Sequence, residues 1–242
     1  MPKAKYDEIY INLKRAIETG TYPYGSLLPS ENTLIGRCDC SRNTIRRALA
    51  GLSDDGYVQS IHGKGVRVIY QPADRASFTV GGIESFQETA SRNKLQVVTK
   101  VVRFSALTVD EQLAKQSGFP AGEEVYYIQR VRYLEEKPLI LDTNFFLKSL
   151  IPNLTPDIAA RSIYAYIEEE LGMQIATSKR TITVEHATAQ DRELLELGDY
   201  NCLAVVTGQT FNANGIMFEY TQSRHQPDYF SFHDTASRKK SL

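Results

Sequence analysis

The tract Leu28–Gly65, LPSENTLIGRCDCSRNTIRRALAGLSDDGYVQSIHGKG, leaves this chain few ways to fold. Ser30-Glu31 opens a short helix through Leu34, Ile35 and Cys38, with Glu31 in the first turn, where the helix dipole favours a carboxylate. After a break at Asp39-Cys40, Ser41 is a good N-cap for a further helix whose buried stripe is Ile45, Ala48, Leu49 and Leu52. On a wheel of about 100° per residue, Asn43 and Arg47 point away from that stripe, Arg46 and Thr44 lie on its flanks, and Arg42 sits in the first turn. Upstream, Tyr6, Ile9, Tyr10, Leu13, Ala16 and Ile17 mark an amphipathic helix ended by Thr19-Gly20. Downstream, YVQSI and VRVIY flank His62-Gly63-Lys64-Gly65, the pattern of a hairpin with a glycine-rich, basic tip.

Two short helices joined by a tight turn, the second displaying three arginines, have the geometry of a helix-turn-helix. Its second helix fits a major groove about 12 Å wide. The hairpin suits a wing laid against phosphates or into the minor groove, with Lys64 supplying charge. Each part alone has an ordinary reading, as a solvated basic face or a simple turn. Their order within one tract is what makes the pattern specific.

These residues closely resemble the winged helix-turn-helix of the GntR family of bacterial transcription regulators: LPSE, then SR-x-T-I-R-x-AL, then L-x-x-x-G and a wing ending G-x-G. The resemblance covers residues 6–70. It implies that Arg42, Thr44 and Arg46 contact operator DNA and that His62 and Gly63 enter the minor groove. Glu31, Ser41, Arg47 and Lys64 complete the expected DNA interface. Many members carry Arg or Tyr after the LPSE glutamate, where this chain has Asn32.

The rest of the chain is longer and differently charged. Of 242 residues, 28 are Lys or Arg and 29 Asp or Glu, a formal net charge of −1. Residues 1–72 hold ten of the basic and seven of the acidic residues, leaving eighteen and twenty-two for the remainder. A basic head on an acidic body follows. With 42% hydrophobic and 24% charged residues the composition is that of a globular chain, not a disordered, collagen-like or disulfide-scaffold one. No apolar run approaches a membrane span and MPKAKYDEIY is no signal peptide. Cys38, Cys40 and Cys202 cannot all pair, and their spacing suits no structural zinc site, so reduced thiols in the cytoplasm are expected.

Polar residues 71–77, QPADRAS, read as a linker. Beyond it, Leu95–Ser105, Glu124–Leu134, Pro138–Leu147, Ile175–His186, Leu203–Asn212 and Ile216–His225 read as strands. Glu135-Glu136-Lys137 and, with the stronger signal, Asn214-Gly215 read as hairpin turns. Helix starts are expected at Ser85-x-x-Glu88, Thr108-x-x-Glu111 and Thr188-x-x-Asp191, and a helix at Ser162–Leu171 buries Ile163, Tyr166, Ile167 and Leu171. The sheet should be largely antiparallel, since tight turns join neighbouring strands.

Three places in this body could carry chemistry. Gly81-Gly82-Ile83-Glu84-Ser85-Phe86 leads glycines into a helix N-terminus, an anion site or else a plain turn capped by Ser85. Alternation puts Arg130 and Arg132 on one strand face, suited to phosphate or carboxylate or else paired with acids across the sheet. Glu219, Thr221, Ser223 and His225 share a face too polar for a core, and Asp142 and Asn144 raise the same question one strand away. No GxSxG, HExxH or Walker loop is present, Asp142, Glu185 and Glu219 have no spacing that names a reaction, and His186 more simply ends a strand. No metal or other cofactor is expected.

GGIESFQE, LDTNFF, RSIYAYIEEELG and FEYTQSRH are similar to the effector domain of the HutC branch of the GntR family, which shares its fold with chorismate lyase. That resemblance implies a phosphosugar site, with Gly82, Ile83, Ser85, Phe86, Arg130 and Arg132 at the phosphate and Asp142, Ser162, Tyr164, Glu219, Arg224 and His225 around the sugar. By periodicity alone, Ser162 and Tyr164 are equally a helix cap and a packing tyrosine. The family's acidic partner is often Glu where this chain has Asp142. SIYAYIEEELG, DRELLELGDY and YTQSRH are most similar to repressors of trehalose operons, which implies trehalose 6-phosphate as inducer.

The expectation is an α+β chain: a winged helix-turn-helix over 1–70, a linker over 71–77, and over 78–242 an α/β effector and dimerisation domain of chorismate lyase-like fold. Its expected function is that of a cytoplasmic, homodimeric repressor of double-stranded operator DNA, away from any membrane and released by a phosphosugar. A repressor answering another phosphosugar, an enzyme on the same fold, and a constitutive DNA-binding protein are the alternatives.

Overall fold

The computed structural model describes residues 5–71, 78–79, 86–93 and 96–232. They fall into two compact units, one ending at about residue 75 and the other spanning Ala76–Phe232.

In the first unit, α1 (Lys5–Glu18), α2 (Glu31–Cys38) and α3 (Arg42–Asp54) pack Ile9, Leu13, Ile17, Leu34, Ile45, Leu49 and Leu52 into one core. Ser41 caps α3 as the sequence predicts and Ser30 caps α2 at the expected helix start, each side-chain oxygen accepting a backbone N–H three residues on at 3.2 Å. The strands β1 (Val58–Ile61) and β2 (Gly65–Val68) form the hairpin, paired antiparallel with Ile61 opposite Gly65. Gly63 and Gly65, at φ 69° and 109°, take left-handed backbone that a side chain would strain. The Gly25–Leu28 segment adds to the hairpin as a third strand-like edge: Gly25 N donates to Val68 O, Val68 N to Ser26 O and Leu28 N to Val66 O, at 2.8–2.9 Å.

The second unit is a six-stranded antiparallel sheet. Its strands are β4 (Val97–Thr108), β5 (Glu124–Leu134), β6 (Lys137–Leu147), β7 (Ile175–His186), β8 (Cys202–Asn212) and β9 (Met217–His225), in the order β4-β5-β6-β9-β8-β7. A short parallel pair, β3 (Phe78–Thr79) with β10 (Phe230–Ser231), lies outside it. The helices are α4 (Phe86–Asn93), α5 (Glu111–Ser117), α6 (Pro156–Ala160), α7 (Ile163–Ala165) and α8 (Ala189–Leu194). One sheet face packs Ile128 and Phe146 against Ala159, Ile163, Tyr166 and Ile167 of the α6–α7 segment. The other packs Val131, Leu141, Leu203 and Val205 beneath Leu195 and Leu197 after α8, and Val125, Leu147 and Tyr220 beneath α5.

Three local expectations are corrected. The helix expected at Ser162–Leu171 forms but is not uniform: Ser162 caps α7, and Tyr166–Glu170 continues it as a wider π-helical turn. The cap of α5 is Asp110, whose Oδ1 accepts from Leu113 N at 2.7 Å, while Thr108 ends β4. Ser85 lies outside the described residues, whereas the Thr188/Asp191 capping box forms in full. The β5–β6 turn is two residues, Glu135-Glu136, both with positive φ (47° and 69°). No glycine signals that turn; Glu135 N donates to Gln96 O and Gln96 N donates to Glu135 Oε1, each at 3.1 Å.

Candidate DNA interface and effector site

The DNA-facing residues expected from sequence come together on the first unit. Arg42, Arg46 and Arg47 are exposed along α3, and Thr44 is half-buried beside them. Each arginine is held by a neighbour. Arg42 Nη2 donates to Asn32 Oδ1 at 3.0 Å. Arg46 Nε donates to both Glu31 oxygens at 3.2 and 3.1 Å. Arg47 stacks its guanidinium 3.7 Å from the centre of the Tyr6 ring. Ser41 is engaged as the α3 cap, its hydroxyl also 2.8 Å from that of Thr44. His62, Gly63 and Lys64 stand exposed at the hairpin tip. Tyr6 and Asn32 were missed by sequence reasoning: Tyr6 reads as a core position, and Asn32 only as a departure from a family pattern.

The second unit gathers polar residues on the sheet face that α4 and the α6–α7 segment cover. Strand alternation and register set Arg130 opposite Asp142, Asp142 opposite Ser223, and Asn144 opposite Thr221. Arg132 Nε donates to Asp142 Oδ2 at 2.8 Å with the two side chains only 6% and 10% exposed, and Arg132 Nη1 donates to Thr99 Oγ1 at 2.7 Å. Ser223 Oγ donates to Asp142 Oδ1 at 2.6 Å. Burial alone would raise the Asp142 carboxyl, but Arg132, Arg130 and Ser223 together hold it below the usual carboxylate value.

Arg130 is treated differently. It is buried, and its bonds go to neutral acceptors: Asn144 Oδ1 from Nη2 at 2.9 Å and Nε at 3.3 Å, and the Ala159 carbonyl from Nη1 at 3.3 Å. No carboxylate bonds to it among the described residues. Burial, with Arg132 alongside, pulls its guanidinium down to about 9. Glu219 accepts from Tyr164 OH at 2.6 Å and from Asn144 Nδ2 at 3.1 Å. Burial raises its carboxyl, and Tyr164 and Arg130 offset only part of that. Burial and the Glu219 charge push the Tyr164 hydroxyl up as well. The site thus contains one ion pair in direct contact, Arg132–Asp142, and, among the described residues, one buried cation that no carboxylate hydrogen-bonds, with Asp142 and Glu219 acting on it only through space.

Phe86 on α4 lies over Arg132, ring centre 4.8 Å from the guanidinium carbon. His225 is buried on the same face and packs on Phe230 at 5.1 Å, with Nδ1 lacking a hydrogen-bond partner among the described residues. Burial lowers its imidazole to about 4, against the pull of Asp142. Ser162 Oγ accepts from Ala165 N at 3.2 Å, the cap reading, while Tyr164 reaches Glu219 and does more than pack. Gly82, Ile83 and Ser85 lie outside the described residues.

Arg224 does not join this group. Alternation along β9 sends it to the opposite face, where Nε donates to both Asp191 oxygens at 3.0 and 3.1 Å, Nη1 to Glu185 at 2.6 Å and Nη2 to the His186 carbonyl at 3.0 Å. Those bonds tie β9 to β7 and α8. Thr99 and the Ala159 carbonyl were missed. Thr99 was recoverable from its register opposite Arg132; a backbone carbonyl leaves no trace in sequence. Among the described residues, no group of three or more His, Cys, Asp or Glu could hold a metal ion, and no helix is long and apolar enough to cross a membrane.

Comparison with known proteins agrees with this two-unit layout. Residues 5–68 match the model of bacterial regulatory proteins of the gntR family, and residues 92–231 match the UTRA domain. The chain is 36% identical over 236 residues to the HTH-type transcriptional regulator TreR of Bacillus subtilis, covering 98% of each. It is 28% identical to the mannosyl-D-glycerate transport/metabolism system repressor MngR of Escherichia coli, covering 99% of this chain and 98% of MngR. The solved effector-binding domain of the B. subtilis trehalose repressor superposes with a TM-score of 0.54 at 36% identity, covering 59% of this chain and 99% of that domain. The possible transcriptional regulator YydK of B. subtilis shares the fold over 97% of this chain and all of its own, with a TM-score of 0.79 at 24% identity. The chain belongs to the gntR family of bacterial regulatory proteins and carries a UTRA domain behind its winged helix-turn-helix.

Proposed function

We propose that this protein is a homodimeric, cytoplasmic repressor that binds operator DNA through residues 1–70 and is released by trehalose 6-phosphate bound in the UTRA domain, with 71–77 as the linker. The observation that carries the ligand half is Arg130: a buried cation whose bonds among the described residues go to neutral acceptors is matched by a ligand that brings a negative charge. Arg132, with Phe86 over it, lies next to Arg130 for a second contact, while Asp142, Tyr164, Glu219 and His225 supply acceptors and donors for sugar hydroxyls. Gly82, Ile83 and Ser85 are the expected phosphate-binding loop. The similarity to TreR supports trehalose 6-phosphate among phosphosugars.

On the DNA side, Arg42, Thr44, Arg46 and Arg47 enter the major groove, His62 and Gly63 the minor groove, and Lys64 meets the phosphate backbone. Two copies place recognition helices in half-sites about 34 Å apart. Ligand binding that favours another spacing lowers operator affinity reciprocally.

A thermal-shift panel tests the reading: trehalose 6-phosphate, glucose 6-phosphate, glucosamine 6-phosphate, N-acetylglucosamine 6-phosphate, trehalose and inorganic phosphate. Ligand at about 100 times its Kd stabilises by about 2.7 kcal/mol. Stabilisation by trehalose 6-phosphate, but not by trehalose, is expected. A shift with another phosphosugar alone changes the pathway, and no shift with any of them refutes the phosphosugar site. Mass analysis of recovered ligand separates binding from turnover.

A further inference from the structure

The two arginines nearest the start of α3 are both tethered to α2, by chemically different partners. Asn32 and Glu31 are consecutive residues in the first turn of α2, fixed there by the Ser30 cap, and Arg42 opens α3 next to the Ser41 cap. Leu34 and Ile45 lock the two helices together in one core. The geometry between Asn32 and Arg42 is therefore set by packed helices, not by a loop.

Glu31 gives Arg46 a carboxylate at 3.1 Å, a charged partner in an exposed pair. Asn32 gives Arg42 a neutral amide oxygen at 3.0 Å. A guanidinium only donates, so the amide oxygen is the acceptor, and a single N–H is spent on it. Arg42 keeps its full charge and its other N–H groups while the direction of its planar fork is restrained. An unrestrained arginine can swing to other acceptors when its preferred base is replaced, whereas a fork held in one direction meets the wrong base with its N–H groups unpaired, so the restraint sharpens the difference between sequences.

From this geometry we propose that Asn32 is a positioning residue for Arg42, and so a determinant of which operator sequence is preferred, without itself contacting a base. The inference rests on the reading of α3 as the recognition helix.

In vitro selection from a random duplex library, with the unchanged chain, Arg42→Ala, Asn32→Ala and Asn32→Asp, tests it. Each protein is then titrated against the selected sequence and its single base-pair variants. Asn32→Ala should lower discrimination about threefold to tenfold at the base pair that Arg42→Ala relaxes, and leave the salt slope and other positions unchanged. Asn32→Asp, which keeps an acceptor for Arg42, should retain discrimination there. Asn32 is exposed, so its variants are expected to melt with the unchanged chain. If Asn32→Ala weakens all sequences alike and reduces the salt slope by about one, Asn32 is a phosphate contact and the inference fails. It fails equally if discrimination is untouched. Enrichment of no motif by the unchanged chain would instead refute the recognition-helix reading, and the inference with it.

Discussion

Replacing Arg130 with Met should cost the unliganded protein little or nothing in stability while removing its response to ligand. Burial brings the Arg130 guanidinium from its ordinary value down to about 9. Three and a half pH units at about 1.36 kcal/mol each correspond to roughly 5 kcal/mol held against the charged form. Because the folded value lies below the unfolded one, that penalty is complete below pH 9 and fades only as the pH climbs towards the ordinary arginine value. Methionine removes it, but leaves Asn144 Oδ1 and the Ala159 carbonyl without their donor, at about 1–3 kcal/mol for each buried group left unsatisfied. The balance runs from about 1 kcal/mol against the variant to about 3 kcal/mol in its favour, the latter up to about 10 °C in the melting of the UTRA domain. Scanning calorimetry of the full chain, with and without trehalose 6-phosphate, reads both effects. Loss of 3 kcal/mol or more in the unliganded variant would mean that Arg130 is a compensated structural cation, and the argument from its missing counter-charge would fail.

The neighbouring acid should behave oppositely. Asp142→Ala strips Arg132 of its buried partner and leaves two adjacent uncompensated guanidiniums, a loss of about 3–5 kcal/mol measurable by urea unfolding. His225 predicts acid lability: its imidazole stays neutral in the folded chain down to about 4 but takes a proton near 6.5 when unfolded. Stability should therefore fall by about 3 kcal/mol between pH 6.5 and 4, and His225→Gln should flatten that part of the profile. In the head, Arg42→Ala should cost about 1–3 kcal/mol on the selected operator and relax one position. Lys64→Ala should weaken all sequences similarly and lower the salt slope by about one; a sequence-selective loss would place Lys64 at a base edge.

Most of the architecture could be read from local signals. The Ser30 and Ser41 caps and the stripe of Ile45, Ala48, Leu49 and Leu52 define the head, because each signal acts within one helical turn. The strands Glu124–Leu134 and Ile175–His186 coincide with their observed bounds. The failures have physical causes. At Glu135-Glu136 the turn conformation is stabilised by Gln96, a partner far along the chain. Tyr166–Glu170 has helical periodicity, yet the backbone widens there, a change that periodicity does not register. Within the site, alternation correctly grouped Arg130 with Arg132, and Glu219 with Thr221, Ser223 and His225. The same alternation placed Arg224 on the far face, although similarity to the family had grouped it with the sugar. That Asp142 is already engaged by Arg132 and Ser223 while, among the described residues, no carboxylate hydrogen-bonds Arg130 is a pairing across three strands, invisible before the register was known.

The most direct measurement is operator affinity as a function of effector. A labelled duplex carrying the selected operator is titrated with the full chain by fluorescence anisotropy, at fixed salt, across increasing trehalose 6-phosphate, with trehalose and glucose 6-phosphate as controls. The account predicts that operator Kd rises at least fivefold at saturating trehalose 6-phosphate, the lower end of typical coupling between sites. Trehalose should leave it unchanged, and Arg130→Met should abolish the rise. An operator Kd that is the same with and without saturating trehalose 6-phosphate would contradict it.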